Sequence, residues 1–271
     1  MAARFPEVFD THAHLCSPEY ETDRKDVIQR AWQNGVGFIE VGYDESSSED
    51  AIRLAESTGG ICSVGIHPHN AEGRGHVERW NVIMGMARGS SEAVRALGEM
   101  GLDYFRDLVP KDVQVECFRE GLRLAKRLGL PVLIHQREAE DDVLGLVEDA
   151  RLVQPVVFHC FSQDKTYARE CLGLGGYLGI GGVLTYPKNV GLRQLVSKLP
   201  LNRILLETDC PYLPPQTRRG KRNEPALVIE TLETLSDCLE MDKSEVAEIT
   251  TENASRVFGG LPLLGQVNLV E

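Results

Sequence analysis

Two histidines one residue apart, His12 and His14, follow the first short apolar run of the chain. In an extended backbone residues i and i+2 point to the same side, so both imidazoles can face one ion. Further along, Glu99, His135, His159 and Asp209 each fall at or near the end of a short β-rich run, and His67 ends another. Imidazole and carboxylate suit zinc, manganese, iron, nickel or cobalt, while magnesium takes a more oxygen-rich set. The six candidate ligands His12, His14, Glu99, His135, His159 and Asp209 exceed what a single catalytic zinc uses, because that ion keeps an open position. They suit two divalent ions about 3.5–4 Å apart with a bridging carboxylate, an arrangement fit for in-line attack on phosphorus. Glu99 is the candidate bridge. Each residue alone has an ordinary explanation: a strand-end histidine is usually a hydrogen-bonded structural group, and a buried glutamate often pairs with an arginine. Four imidazoles and two carboxylates on one rim would be costly to place there without a cation.

What brings them to one rim is the order of elements. Eight apolar runs read as strands: Val8–Asp10, Val36–Gly42, Ile61–His67, Val94–Glu99, Pro131–His135, Val156–Phe161, Gly176–Gly182 and Ile204–Asp209. Helical spacing fills most of the intervals and the C-terminal part: Asp23–Asn34, Ser46–Ser57, Val113–Leu128, Asp141–Ala150, Lys165–Leu172, Leu192–Leu199, Ala226–Leu239 and Lys243–Phe258. Strands alternating with helices mean parallel pairing, and a single closed (β/α)8 barrel over residues 1–271 satisfies this best. An open doubly wound sheet would usually carry a glycine-rich phosphate turn after strand one; here that turn is Asp10-Thr-His-Ala-His14. In a barrel all strand C-termini share the face that carries active sites. Six of the seven histidines lie at or just beyond such ends, and only His76, in a helix-side segment, reads as a solvated surface residue. Residues 259–271 read as a loosely packed or disordered tail.

Composition sets limits. The chain has 271 residues, 42% hydrophobic, and a net charge of −12. That balance argues against broad electrostatic coating of nucleic acid, but not against local phosphate binding. The cationic groups on the expected catalytic face are few: Arg137, two residues after His135; Lys188; and the run Arg218-Arg-Gly-Lys-Arg222. Seven cysteines without a C-x-x-C pair suggest no disulfide framework or thiolate zinc site and imply a reducing, cytoplasmic setting. The N-terminus does not read as a signal peptide, no run approaches the ~20 apolar residues of a membrane span, and no obligate protein partner is evident.

Seven ordered motifs carry a resemblance: Phe9-Asp-Thr-His-Ala-His-Leu15, Gly65-Ile-His-Pro68, Gly98-Glu-Met-Gly-Leu-Asp103, Pro131-Val-Leu-Ile-His-Gln-Arg-Glu138, His159-Cys-Phe-Ser162, Glu207-Thr-Asp-Cys-Pro-Tyr-Leu213 and Arg219-Gly-Lys-Arg-Asn-Glu-Pro225. Through almost the whole chain it resembles the TatD family of metal-dependent deoxyribonucleases, within the amidohydrolase-like barrels. The resemblance implies one divalent ion on His12, His14, Glu99 and Asp209, a second on Glu99, His135 and His159, and His67 near the substrate phosphate. Cys16 stands where the family usually has Asp or Asn, Gln163 where glycine is common, and Met100 where Ile is usual. The expected activity is hydrolysis of phosphodiesters in DNA, exonucleolytic or at damaged sites, by metal-activated water. Asp209 would be ligand and proton acceptor, Glu207 would support it from the same strand face, and His67, Arg137 and Arg222 would contact the phosphate. The alternatives are a hydrolase of a small cyclic amide, ester or lactone on the same barrel, and a non-catalytic scaffold.

Overall fold

A computed structural model describes residues 4–72, 75–106 and 108–265. Eight strands pair in chain order in one parallel sheet: β1 (Val8–Ala13), β2 (Val36–Val41), β3 (Ile61–Val64), β4 (Val94–Asp103), β5 (Val132–Arg137), β6 (Val156–Phe158), β7 (Tyr177–Ile180) and β8 (Ile204–Leu206). Parallel neighbours need crossovers, and helices supply them. They are α1 (Arg24–Gln33), α2 (Glu45–Thr58), α3 (His76–Gly89), α4 (Lys111–Leu128), α5 (Glu140–Ala150), α6 (Lys165–Gly173) and α7 (Val190–Val196), followed by α8 (Val228–Leu239) and α9 (Lys243–Phe258). The seam between first and last strands is closed by an Ala13–Cys210 bridge, by His14 N–H donating to Cys210 O (2.9 Å) and by Asp209 N–H donating to His12 O (2.9 Å). The buried Asp10 carboxylate adds to it, accepting from the Thr208 N–H (2.8 Å) and hydroxyl (2.6 Å). The architecture is the (β/α)8 barrel expected from the alternation of elements.

One apolar cluster explains why the upper interior can be polar. Phe9, Ile39, Ile61, Ala96, Leu133, Val157, Tyr177 and Leu205, one residue from each strand, pack together, and α9 closes this layer with Ala254, Val257 and Phe258. Strand side chains alternate, so the residues two and four positions further on share the same face. On β5 that sequence is Leu133, His135, Arg137; beyond β6 it is Val157, His159; beyond β8 it is Leu205, Glu207, Asp209. The barrel interior changes from hydrocarbon to titratable groups within two residues of each strand. Truncating Leu133 or Leu205 in this layer would cost about 2–5 kcal/mol, the usual range for core Leu→Ala changes.

Several boundaries differ from the sequence-based expectation. β3, β6 and β8 end three residues early, at Val64, Phe158 and Leu206, whereas β1 runs on to Ala13 and β4 to Asp103. Helix α3 was not among the expected helices. Its buried residues Trp80, Ile83 and Ala87 are spaced as a helix face, but exposed Val77 and Val82 blur that pattern. Helix α2 is capped by Asp44 rather than by a serine; Asp44 and Ser47 form a reciprocal capping box. His76 is half-buried at the first turn of α3, not a freely solvated residue. Part of the tail packs: Leu264 is buried and bridges Arg4, while residues 266–271 lie outside the described residues. No helix among the described residues is long and apolar enough to cross a membrane.

Candidate metal centre

The ligand candidates sit where regular strand pairing breaks. The β1–β2 register shifts between Asp10 and Ala13, around His12. The β4–β5 register shifts between Leu97 and Met100, around Glu99. Such irregularities re-aim side chains beside active sites. In β4 the shift makes Glu99 rather than Gly98 follow Ala96 toward the interior. Gly98 has φ of 141°, and a side chain there would run into Leu133, so the bend needs a glycine. His67, His159 and Asp209 lie beyond their strands, yet their backbone N–H groups still donate to neighbours: Tyr43 O (2.8 Å), Ile134 O (3.1 Å) and His12 O (2.9 Å). Leaving the ladder without losing the hydrogen bond turns the side chain to the rim at little cost.

The six predicted ligands and His67 form one cluster. The two oxygens of Glu99 divide it. Oε1 is 2.7 Å from His135 Nδ1, 2.9 Å from His159 Nε2 and 3.5 Å from His67 Nε2. Oε2 is 3.3 Å from His12 Nε2 and 3.5 Å from His14 Nε2. His14 Nε2 is also 3.6 Å from Asp209 Oδ1. Three overlapping groups have donor atoms close enough to share an ion: His12 with Glu99 and His159; His12 with His14 and Asp209; His67 with Glu99 and His135.

Hydrogen bonds behind the cluster set which nitrogen faces inward. His14 Nδ1 donates to Val41 O (2.8 Å), leaving Nε2 for the cluster. His135 is turned the other way: Nε2 lies 3.2 Å from Asp103 Oδ2, and Nδ1 faces Glu99. The same Asp103 oxygen takes His69 Nε2 at 2.8 Å. Carboxylates and carbonyls behind histidine ligands have this fixing effect in metal sites. Glu207, expected to support the site from the strand of Asp209, is fully buried; its Oε1 accepts the Cys160 N–H (2.6 Å) and lies 3.5 Å from His159 Nδ1. Glu40 accepts the N–H groups of Leu15 (2.9 Å) and Cys16 (2.7 Å), so the Cys16 backbone stays anchored whatever its side chain. Gln163 donates to Gln136 Oε1 (2.6 Å) beside the mouth.

The electrostatics are those of a cation site filled by protons. Burial alone would raise the Glu99 carboxyl, but His159, His67 and His12 overcome it and hold it well below the usual range. Asp209 is likewise lowered, burial being outweighed by the His14 hydrogen bond and the charges of His159 and His12. Burial works against a proton on His14, yet Asp209 and Glu99 push it up to about 10. His135 and His159 are also raised against burial, by Asp103 with Glu99 and by Glu99 with Glu207 respectively. His12 and His67 are lowered, chiefly by burial. A divalent ion would displace the imidazolium protons and take over their charge, as ligation requires. Nε2 of His12, His14 and His159, Nδ1 of His135 and the carboxylate oxygens of Glu99 and Asp209 converge on one another, which fits a donor set made for coordination.

Arg137 and Arg222 differ in placement. Arg137 extends from β5 above His135 and stacks on Phe105. Arg222 is committed elsewhere: it donates to Glu19 O (2.5 Å) and to both Asp23 oxygens (2.8 and 2.6 Å), and covers the Tyr20 ring at 4.4 Å. In this structure it ties the loop after β8 to the start of α1. Sequence reasoning gave no role to His69 or Asp103. Asp103 lies four residues after Glu99 on the same inward face of β4, within the Gly98–Asp103 motif.

Comparison with known proteins agrees with this geometry. The profile of the family described as TatD related DNase matches residues 9–259. The chain is 39% identical to the uncharacterized metal-dependent hydrolase YabD of Bacillus subtilis over 254 residues, covering 93% of this chain and 98% of that protein. It is 33% identical to the 3′-5′ ssDNA/RNA exonuclease TatD of Pectobacterium carotovorum, covering 93% and 99%. The crystal structure of YJJV, a TatD homologue from Escherichia coli, superposes with a TM-score of 0.89 at 30% identity, covering 93% and 98%. On the matched motifs, the shared barrel and the identity along nearly the whole length, the chain belongs to the TatD family of metal-dependent hydrolases.

Proposed function

We propose that the chain hydrolyses phosphodiester bonds of nucleic acid, DNA in the first place, with two divalent ions held around Glu99. The observation that carries this reading is the division of Glu99, one oxygen toward His135 and His159, the other toward His12 and His14. His12, His14, Asp209 and Glu99 would hold one ion; His135, His159 and Glu99 the other. Bound there, such ions supply Lewis-acid charge to the phosphate oxygens and acidify a water. Zinc, manganese, iron, nickel and cobalt suit the imidazole-rich set better than magnesium does.

The chain's own groups do the rest. Asp209, an ionised carboxylate at the rim, accepts the proton of the attacking water on the oxygen not turned to His14. His67, uncharged through burial, faces the Oε1 side of Glu99 and offers its ring to the phosphate. Arg137 neutralises charge from above with a planar, always protonated group. Asp103 and Glu207 keep His135 and His159 in register. Arg222 fastens the loop that follows Asp209. The seven free cysteines suit a reducing, cytoplasmic setting.

The test offers metal-reconstituted protein a set of 5′- and 3′-labelled single- and double-stranded oligodeoxynucleotides beside a set of lactones and cyclic amides. Stepwise shortening or internal cleavage of the oligonucleotides, stopped by chelator, is expected. Turnover of the small esters or amides with intact oligonucleotides would overturn the reading.

A further inference from the structure

We infer that Phe105, with Arg137 stacked on it, is a nucleobase-stacking subsite beside the scissile phosphate. The inference rests on the phosphodiesterase reading and adds to it a surface that takes the flat face of an unpaired base.

A singly exposed hydrophobic side chain is ordinary. Phe105 is set apart by where it is fixed and by what lies on it. The residue is 51% exposed on the loop after β4. Its backbone N–H donates to Asp103 Oδ1 at 3.0 Å, and that of Arg106 to the same oxygen at 2.9 Å. The other Asp103 oxygen lies 3.2 Å from His135 Nε2. One carboxylate thus connects the exposed ring to a candidate metal ligand and fixes their relation. Asp103 is itself held by Gln114, which accepts its N–H at 2.8 Å and donates to its carbonyl at 3.1 Å. Arg137 pairs with Asp103 across the β4–β5 ladder, two residues and roughly 7 Å beyond His135. Its guanidinium carbon lies 3.8 Å from the Phe105 ring centroid. Among the described residues no ion pair or side-chain hydrogen bond occupies that guanidinium.

Each part serves a base next to a phosphate. An exposed aromatic side chain stacks a base whatever its identity, and an arginine plane stacks on rings while its N–H edge stays available to phosphate oxygens. In a chain of net charge −12, affinity from a broad cationic surface is weak, which leaves more to such a local contact.

The test uses stopped-flow mixing of metal-loaded protein with hexadeoxynucleotides carrying 2-aminopurine at each position in turn. The fluorescence of this base is quenched by stacking and is read before turnover. Wild type is expected to quench one position next to the cleaved bond; Phe105→Ala to lose that quench; Phe105→Tyr to keep it. On the normal hexamer Phe105→Ala should lower kcat/KM by roughly 5- to 150-fold, mainly through KM, the range for one base–aromatic stack. With an abasic tetrahydrofuran residue at the quenched position, wild type and Phe105→Ala should coincide. Equal quenching by wild type and Phe105→Ala, or the same loss on intact and abasic strands, would overturn the inference. If wild type hydrolyses no oligonucleotide, the proposed function fails, and the quench still decides whether Phe105 stacks a base.

Discussion

The two ends of the histidine cluster are built differently. At the end formed by His12, His14 and Asp209, every brace is backbone or deeply buried: Val41 O behind His14, the Asp10 carboxylate on the N–H groups of His12 and Thr208, and Glu40 under the loop that follows. The His12 side chain is 0% exposed and that of His14 6%. At the other end His135 is 18% exposed, and its brace, Asp103, is shared with His69, which is 28% exposed. A ligand fixed by carbonyls and seam hydrogen bonds moves only if the barrel seam opens. His135 is instead fixed by a side chain, the buried Asp103 at the last position of β4, whose Oδ1 also takes the N–H groups of Phe105 and Arg106 in the loop that follows. The comparison teaches that the first end is held through the barrel seam, whereas His135 at the other end is held through a carboxylate shared with His69 and with the loop after β4; its neighbour His159, 3% exposed, is as buried as the first end.

The largest effect is expected at the closed end. Asp209→Asn keeps one oxygen toward His14 but removes the proton acceptor, a role commonly worth ~10²–10⁴-fold in rate. The variant should fold, retain the ion at His135 and His159, and lose most of its turnover, as read from steady-state rates beside metal content and a thermal melt. Near wild-type turnover with both ions present would move the proton acceptor elsewhere and break the division of labour between the two ends.

The smallest effect is expected outside both ends. Arg222→Ala should leave kcat and KM on oligonucleotides unchanged and lower stability by about 0.2–1 kcal/mol, as for a partly exposed ion pair. The Arg222 hydrogen bond holds Asp23 below its usual range. A depressed carboxyl stabilises the fold above its unfolded pKa, and that stability is lost as pH falls through the folded value, so the contribution should begin to fall below roughly pH 4. Melting curves of wild type and variant should therefore converge on acidification. A raised KM instead would return Arg222 to the phosphate.

The gathering of the candidate ligands on one rim is legible in the sequence through two periodicities: parallel β/α alternation puts all strand ends on one face, and the two-residue alternation carries Leu133 to His135 and Leu205 to Glu207 and Asp209. What the sequence did not yield was set by contacts between distant segments. The pairing of Arg222 with Asp23 and of His69 with Asp103 links residues far apart in the chain, and no local pattern encodes it. The early ends of β3, β6 and β8 have a related cause. The backbone leaves the ladder there, and His67, His159 and Asp209 turn inward. Helix α3 escaped notice because its exposed valines mask the buried face.

We propose that this cluster is a two-ion centre, held more firmly at the barrel seam than at His135. A stepwise chelator titration of the metal-loaded protein, with metal content and oligonucleotide hydrolysis read at each step, tests it most directly. Two divalent ions per chain leaving in two separate steps, with hydrolysis lost in the first, is the predicted result. Full hydrolysis by protein shown to contain no divalent ion would contradict it.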